Sequence, residues 1–343
     1  TDDEGPDISQ IFPGGRCWGV EENHTVAERH LKILMAGVDQ FGGNNEIAPV
    51  LEAYRLGCER YGEAYMRARF EQSAVRLLMN MFRLGLFENP YLKAEDSAAI
   101  VACPEFMAAG YEVQLKSIVM LKNAGGVLPL QKGKKVYIPK RYRPASTDWF
   151  GTPTPEYVRD PVNLDVVRRY FDVTEDPDEA DYALVFIESP HITKGYSKED
   201  REAGGNGYVP ISLQYRPYTA EHAREISIAG DPREGSNRSY RGKTVTVPNA
   251  SDLDAVLETR KKMKNKPVIV SILLANPAVM AEFEGAADAI IAHFGVQDSA
   301  QLDILTGAAE PSALLPMQLP AHMKTVEEQF EDVAHDMEVY VDS

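Results

Sequence analysis

Apolar residues recur at helical spacing through the first quarter of the chain. The three-and-four spacing of one helix face is kept by Val26, Ile33, Leu34 and Val38. The same spacing continues to about Leu86, after an interruption by a glycine- and asparagine-rich stretch at residues 41–45. The pattern therefore predicts three helices between Thr25 and Leu86.

The second half of the chain has a different pattern. Its apolar residues form short continuous runs at residues 136–138, 182–187, 268–274 and 289–292. Runs of this kind are typical of strands that are buried on both faces of a parallel sheet. Helical segments separate them, among them Asp252–Lys264 with Ser251 as its expected N-cap, and Pro277–Glu284. Alternating strands and helices predict an α/β fold with a mostly parallel sheet.

One long interval does not follow this alternation. Residues 191–241 are rich in Gly, Pro, Tyr, Ser and Arg and have almost no periodicity. An insertion of this length in a compact domain is usually functional or disordered. Its aromatic residues, including Tyr196 and Tyr208, favour an ordered binding loop. The alternative is a loop that only forms part of a dimer surface.

Composition restricts the class of protein. A chain of 343 residues with 44% hydrophobic content is long enough for about two domains. The net charge of −16 disfavours nucleic acid and anionic membrane surfaces as partners. The three cysteines and seven histidines show no metal-ligand spacing, and no phosphate or dinucleotide motif is present. The sequence indicates no metal and no cofactor.

Four ordered segments carry a resemblance to a known family. They are "AGVDQFGGNN" at 36–45, "RLGLFENPY" at 83–91, "KSIVMLKNAGGVLPL" at 116–130 and "EPSALLPMQLP" at 310–320. Together they resemble glycoside hydrolase family 3. The resemblance implies the end of a (β/α)8-type barrel in residues 1–103, an interdomain linker at 104–130, and an α/β sandwich domain in residues 131–343 that includes the long loop.

The resemblance also implies a catalytic nucleophile near the first residue. Family members carry an aspartate at the end of the seventh barrel strand, in a Ser-Asp-Trp-Gly-like sequence, and "TDDEG" at residues 1–5 resembles it. The position of Gly5 favours Asp3 as the nucleophile, and the alternative alignment makes it Asp2. On this interpretation the chain begins inside the active site. We expect the rest of the barrel, with other sugar-binding residues, to be an N-terminal remainder of the same enzyme.

A retaining glycosidase needs a second carboxyl group as its acid and base. The family's acid loop has no clear counterpart here, and two candidates remain. Glu188 directly follows a predicted strand, which gives it a rigid support. Glu199 lies beside Asp200-Arg201 in "SKEDRE", which resembles the family loop. Trp18, Tyr196 and Tyr208 are the candidate substrate-binding aromatic residues.

These expectations together describe a retaining exo-β-glycosidase, most closely a β-glucosidase, that acts on a β-glucoside or oligosaccharide. A non-catalytic carbohydrate-binding or structural subunit is one alternative. A β-xylosidase-type or N-acetylglucosaminidase-type relative is another. The resemblance implies a bacterial periplasmic or secreted protein, and a second copy of the chain is a candidate partner.

Overall fold

The structure, a computed structural model, describes residues 24–41, 47–147, 152–191, 195–226 and 237–329. The chain divides into two compact units between Val101 and Ala102. The first unit holds the described residues up to Val101, together with Asn237, and the second holds the other described residues.

The first unit is helical, as the apolar spacing predicts. Its described helices are α1 (Val26–Met35), α2 (Ala48–Tyr61), α3 (Glu63–Arg83) and α4 (Ala94–Ile100). A capping box starts α1, because the Thr25 side chain accepts from the Glu28 N–H and the Glu28 carboxylate accepts from the Thr25 N–H. A small core holds the first three helices together, and its buried members are Leu31, Leu34, Ala53 and Met66.

Much of the apolar surface of α3 and of the segment after it is exposed within this unit. Phe82 is 60% exposed. The other exposed large apolar residues of this stretch include Val75, Leu78, Met79, Leu84, Phe87 and Leu92. A concentration of exposed large apolar residues of this kind often marks a site of contact with another part of a protein.

The second unit contains most of the secondary structure. Its described helices are α5 (Pro104–Ser117), α6 (Leu164–Val167), α7 (Lys198–Glu202), α8 (Ser251–Met263), α9 (Asp298–Leu305) and α10 (Met323–Glu327). Its described strands are β1 (Val119–Asn123), β2 (Lys135–Tyr137), β3 (Arg141–Arg143), β4 (Ser146–Thr147), β5 (Pro153–Thr154), β6 (Tyr157–Arg159), β7 (Asp172–Thr174), β8 (Tyr182–Glu188), β9 (Tyr218–Thr219), β10 (Thr244–Val245), β11 (Val268–Leu273) and β12 (Ala289–His293).

Six of these strands form the main sheet, in the order β1-β12-β11-β8-β2-β7. Only the pair β1 and β12 is antiparallel, so the predicted mostly parallel sheet is confirmed. Successive residues of β8 enter two different cores: Val185 and Ile187 pack with α8, whereas Leu184 and Phe186 pack with α9. The sheet is therefore buried on both faces, which explains the continuous apolar runs in the sequence.

Residues 104–130, the expected interdomain linker, contain α5 and the edge strand β1. Two local predictions differ from the structure. Pro277–Glu284 is not an α-helix but an extended start followed by short 3₁₀ turns, because the Val279 N–H donates to the Leu213 carbonyl at 2.9 Å. The N-cap of α8 is Ala250 rather than Ser251.

Candidate active site

A group of buried polar residues lies where β8 ends. Glu188 is the last residue of β8 and is aligned with Leu273 at the end of β11, which in turn is aligned with His293 at the end of β12. Neighbouring strands are about 5 Å apart, so Glu188 and His293 lie roughly 10 Å apart along this edge. The carboxyl edge of a parallel sheet is the usual place for a ligand site.

Two arginines of one short strand bind Glu188. Arg141 donates to Glu188 Oε1 at 2.6 Å, and Arg143 donates to both carboxylate oxygens, at 2.8 Å to Oε2. His191 Nε2 lies 2.7 Å from Glu188 Oε2. Because alternate residues of a strand point to the same side, the Arg-Tyr-Arg sequence of β3 directs both guanidinium groups toward one carboxylate.

Arg141 also connects this site to α8. Its guanidinium donates to both carboxylate oxygens of Asp252, with Nε at 2.7 Å from Oδ1. The Arg141 and Asp252 side chains are 9% and 1% exposed. Buried charges are tolerated only when they are paired and hydrogen-bonded. The group of Glu188, Arg141, Arg143, His191 and Asp252 is called the Glu188 cluster below.

The backbone around Glu188 is fixed as well. The fully buried Tyr215 donates its hydroxyl to the Glu188 carbonyl at 2.5 Å. Asn249 donates to the same carbonyl at 3.2 Å and to Asp252 Oδ2 at 3.0 Å, and it accepts from the His191 N–H at 2.7 Å. Asn249 lies two residues before α8 begins, so its side chain links the end of β8 to the start of α8.

The pKa values of Glu188 and His293, at this edge of the sheet, are both lowered by their surroundings. Burial opposes ionisation of Glu188, but hydrogen bonds from His191, Arg143 and Arg141 outweigh it and lower the pKa of this carboxyl. Burial lowers the pKa of His293 to about 4, against a smaller opposing effect of the Glu188 charge. At neutral pH the edge therefore carries an ionised Glu188 and a neutral His293.

The charge state of Glu188 bears on its predicted role. A proton donor must still hold its proton at the working pH, which requires a raised pKa. The contacts of Glu188 in the described chain act in the opposite direction. They suit a fixed anion that orients cationic neighbours better than they suit a catalytic acid, and its role as the acid stays a prediction.

Glu199, Tyr196 and Tyr208 lie together in the long loop. Tyr196 and Tyr208 form a β-bridge, and their rings pack edge to face at 5.6 Å between centroids. Glu199 lies on α7, whose first turn is capped by Ser197, and the Ser197 hydroxyl donates to Glu199 Oε2 at 2.8 Å. The described part of the loop thus carries a packed aromatic pair and an exposed carboxylate.

Three predicted site residues, Asp2, Asp3 and Trp18, lie outside the described residues. Sequence reasoning also missed residues that the structure brings to Glu188, namely Arg141, Arg143, Asp252, Asn249 and Tyr215. The Arg-x-Arg spacing shortly after the strand at residues 136–138 was a usable signal for two cations on one side of a strand. No comparable signal marks Asp252 or Tyr215, because their partners are distant in the sequence.

No group of three or more His, Cys, Asp or Glu side chains among the described residues is arranged to hold a metal ion. Within the same residues, no helix combines the length and the apolar character of a membrane span.

Comparison with known proteins assigns the fold first. Residues 118–342 match the family model described as "Glycosyl hydrolase family 3 C-terminal domain". A crystal structure of β-glucosidase from Listeria innocua in complex with gluconolactone superposes with a TM-score of 0.53 at 18% identity, covering 88% of this chain and 38% of that one. At this identity the superposition shows a common fold alone.

Curated relatives match at higher identity. "Probable beta-glucosidase C" of Aspergillus flavus is 29% identical over 332 residues, which is 96% of this chain and 42% of the relative. "Periplasmic beta-glucosidase/beta-xylosidase" of Dickeya chrysanthemi is 28% identical over 324 residues, 94% of this chain and 39% of the relative. The chain belongs to glycosyl hydrolase family 3. It spans about two fifths of the length of these relatives.

Proposed function

We propose that this chain is part of a retaining exo-β-glycosidase, most closely a β-glucosidase that works by double displacement. The observation that carries the proposal is the match of nearly the whole chain to relatives named as β-glucosidases. The test is hydrolysis of aryl β-glucoside by the full-length enzyme, with the anomer of the first product read by NMR. A first product of inverted configuration, or no hydrolysis of any β-glycoside, would contradict the proposal.

The length of the relatives supports a further part of the proposal. Because the chain spans about two fifths of them, we expect an N-terminal remainder that supplies most of a (β/α)8-type barrel. Residues 1–103 are then the end of that barrel, and the exposed apolar surface around Phe82 and Phe87 is where the barrel packs. Expressed alone, residues 1–343 should give neither a cooperative unfolding transition nor glucosidase activity, and finding both would contradict this part of the proposal.

The proposed nucleophile is Asp3, with Asp2 as the alternative. In the full-length enzyme, Asp3→Ala should lower turnover by several orders of magnitude, because no other group can form the covalent intermediate. Added azide should restore part of the activity by taking the place of the carboxylate. Near-wild-type activity of Asp3→Ala beside an inactive Asp2→Ala would move the assignment to Asp2.

For the acid and base we propose Glu199, since the contacts of Glu188 favour its ionised form. Loss of the acid slows poor leaving groups by about 10²–10⁴-fold but spares activated ones that need no proton. Relative to wild type, Glu199→Gln should therefore lose far more kcat/KM on alkyl or sugar β-glucosides than on dinitrophenyl β-glucoside. The same selectivity in Glu188→Gln, and its absence in Glu199→Gln, would assign the acid to Glu188 instead.

We also propose that the loop around Tyr196 and Tyr208 reaches over the barrel mouth, from this subunit or from a second copy, and contacts the leaving-group side of the substrate. Aromatic faces bind sugar rings and flat aglycones through apolar contact. Tyr196→Ala or Tyr208→Ala should change kcat/KM differently for aryl and disaccharide substrates. Equal, small effects on both would show that the loop has a structural role only.

A second candidate activity is favoured by the Dickeya relative, whose name includes β-xylosidase. The ratio of kcat/KM for aryl β-xyloside and aryl β-glucoside decides between the two sugars.

The same relative is named periplasmic, and we propose a periplasmic or secreted location for this protein. Cell fractionation with activity assays tests the location, and activity confined to the cytosolic fraction would exclude it.

A further inference from the structure

One lysine lies at the centre of the described part of the long loop. Lys243 Nζ donates to Asp200 Oδ2 at 2.6 Å, to Asn206 Oδ1 at 2.6 Å and to the Tyr208 carbonyl at 2.7 Å. An ammonium group has three N–H donors, so all three are used. These partners lie 35 to 43 residues earlier in the chain. The set of Lys243, Asp200, Asn206 and the Tyr208 carbonyl is called the Lys243 clasp below.

Asp200 is suited to be the anionic partner. Hydrogen bonds from Lys243 and from the Gly207 N–H, the latter at 2.8 Å, lower the pKa of its carboxyl against a smaller effect of burial. Its own N–H donates to the Ser197 hydroxyl at 3.1 Å at the start of α7. Asp200 therefore connects α7, Gly207 and Lys243 through a single side chain.

The clasp acts directly on the segment that carries the aromatic pair. Residues 195–209 close on themselves, since the Ser197 N–H donates to the Gly207 carbonyl at 2.7 Å and the Val209 N–H donates to the Gly195 carbonyl at 3.0 Å. Tyr196 and Tyr208 lie on the two sides of this closed segment. Lys243 enters from outside it and bonds to the backbone of Tyr208 itself.

The position of Lys243 in the fold explains how it can hold the segment. It directly precedes β10, which pairs with β9 in an antiparallel ribbon. Tyr218 and Val245 of this ribbon pack in a separate small core with Val279 and Met323. The lysine therefore extends from a packed element to residues 195–209, which belong to none of the hydrophobic cores of the described chain.

The aromatic pair has the form of a binding surface. Tyr196 is 44% exposed although its ring packs against Tyr208, and the Arg238 guanidinium lies 5.9 Å from the centre of the Tyr208 ring. An exposed aromatic ring held at a fixed angle costs less entropy on binding than a mobile one. The contribution of the Tyr196 ring to binding therefore depends on the residues that hold it in place.

We propose that Lys243 is a positioning residue that holds the Tyr196–Tyr208 pair in the arrangement with which this enzyme recognises the leaving-group side of its substrate. The recognition part rests on the proposed function of the loop. The positioning part does not, because it concerns the order of residues 195–209 in the free enzyme.

The test compares Lys243→Met with Lys264→Met in the full-length enzyme. Both variants remove one ammonium group and keep an unbranched side chain, but Lys264 forms an exposed pair with Asp178 at 2.9 Å, with side chains 70% and 73% exposed. Hydrogen exchange in residues 195–209 should rise about tenfold or more in Lys243→Met and stay unchanged in Lys264→Met. Unchanged exchange in Lys243→Met overturns the proposal.

Kinetics with two substrates test recognition separately. Lys243→Met should shift the ratio of kcat/KM for a β-linked disaccharide and an aryl β-glucoside by about tenfold, in the same direction as Tyr196→Ala. The double variant should shift it no further than Tyr196→Ala alone, since the lysine acts through the ring. Lys243→Arg, which keeps the charge, should lie between Lys243→Met and wild type.

The outcomes separate the two proposals. If Tyr196→Ala shifts the ratio and Lys243→Met does not, the positioning role of Lys243 is wrong and the loop's proposed function stands. If neither Tyr196→Ala nor Tyr208→Ala shifts it, recognition by this pair is wrong, and the exchange measurement alone then decides whether Lys243 orders the segment.

Discussion

The Glu188 cluster and the Lys243 clasp are both built from ion pairs, yet their surroundings differ. Arg141 and Asp252 of the cluster are almost fully buried, whereas Lys243 and Asp200 of the clasp are 23% and 24% exposed. The cluster joins β3 to β8 and α8, two elements that share one main core, while the clasp joins a ribbon to a loop segment outside the main cores. We therefore expect the cluster to control the stability of the domain and the clasp to control the local order of one segment.

The largest effect should follow from breaking the cluster at its most buried cation. Arg141→Met leaves Asp252 buried without its bidentate partner and removes one donor from Glu188. Removing one member of a buried ion pair typically costs about 3–5 kcal/mol. Denaturant unfolding of the full-length enzyme should show a loss of this size for the transition that reports on the second unit.

The matched control is Lys243→Met, which also removes a cation from a carboxylate. It should leave the midpoint of that transition close to wild type, because the clasp lies outside the two main cores. Equal losses for Arg141→Met and Lys243→Met would remove the distinction between the cluster and the clasp.

Acid should weaken the carboxyl edge of the main sheet in two steps, first at His293 and then at Glu188 of the cluster. The pKa of His293 in the folded protein is about 4, below the usual value near 6.5, so the unfolded chain takes up the proton first as pH falls. Stability from neutral His293 is complete above about pH 6.5 and is lost as pH falls to 4, at a cost of about 2–3 kcal/mol. The pKa of Glu188 is also lowered, so its contribution is present above about pH 4.3 and is lost at lower pH.

Two substitutions separate these steps. His293→Asn should flatten the dependence of unfolding free energy on pH between 6.5 and 4, and Glu188→Gln should flatten it below about 4.3. Removing the Glu188 charge should also cost about 1–3 kcal/mol at neutral pH, because Arg141 and Arg143 lose a charged acceptor. A wild-type pH profile in both variants would show that neither group reports on folding.

The cluster and the clasp also show which features of the structure can be predicted from the sequence. Continuous apolar runs predict β8, β11 and β12 because both faces of these strands are buried, and that property is visible in local composition. The partner of Glu188 on α8 is 64 residues away, and the partners of Lys243 are more than 30 residues away. Hydrogen bonds at such separations depend on the folded path of the chain and leave no periodic signal.

The family resemblance predicted the family of the protein, which local sequence patterns could not, but it did not decide which residue is the catalytic acid. It indicated the α/β domain and the family, since both depend on motifs spread over the chain. It left Glu188 and Glu199 as alternatives because the family's acid loop has no clear counterpart in this sequence. The structure adds a physical distinction, since Glu188 is surrounded by cations and Glu199 is exposed in the first turn of α7.

The smallest expected effect concerns two glycines within residues 195–209, the segment that the Lys243 clasp holds. Gly204 and Gly207 have φ values of +92° and +85°, so an alanine is strained at either position, at roughly 1 kcal/mol. The space around them differs. A Cβ at Gly204 meets no atom within 4 Å, whereas a Cβ at Gly207 would overlap the ring of Tyr196.

Gly207→Ala should therefore displace Tyr196 where Gly204→Ala does not. We expect both variants to unfold at nearly the wild-type denaturant concentration, because both positions lie outside the main cores. Only Gly207→Ala should raise hydrogen exchange across residues 195–209 and shift the disaccharide-to-aryl ratio of kcat/KM toward that of Tyr196→Ala. Equal exchange in the two glycine variants would mean that backbone strain, rather than the contact between Gly207 and Tyr196, determines the order of the segment.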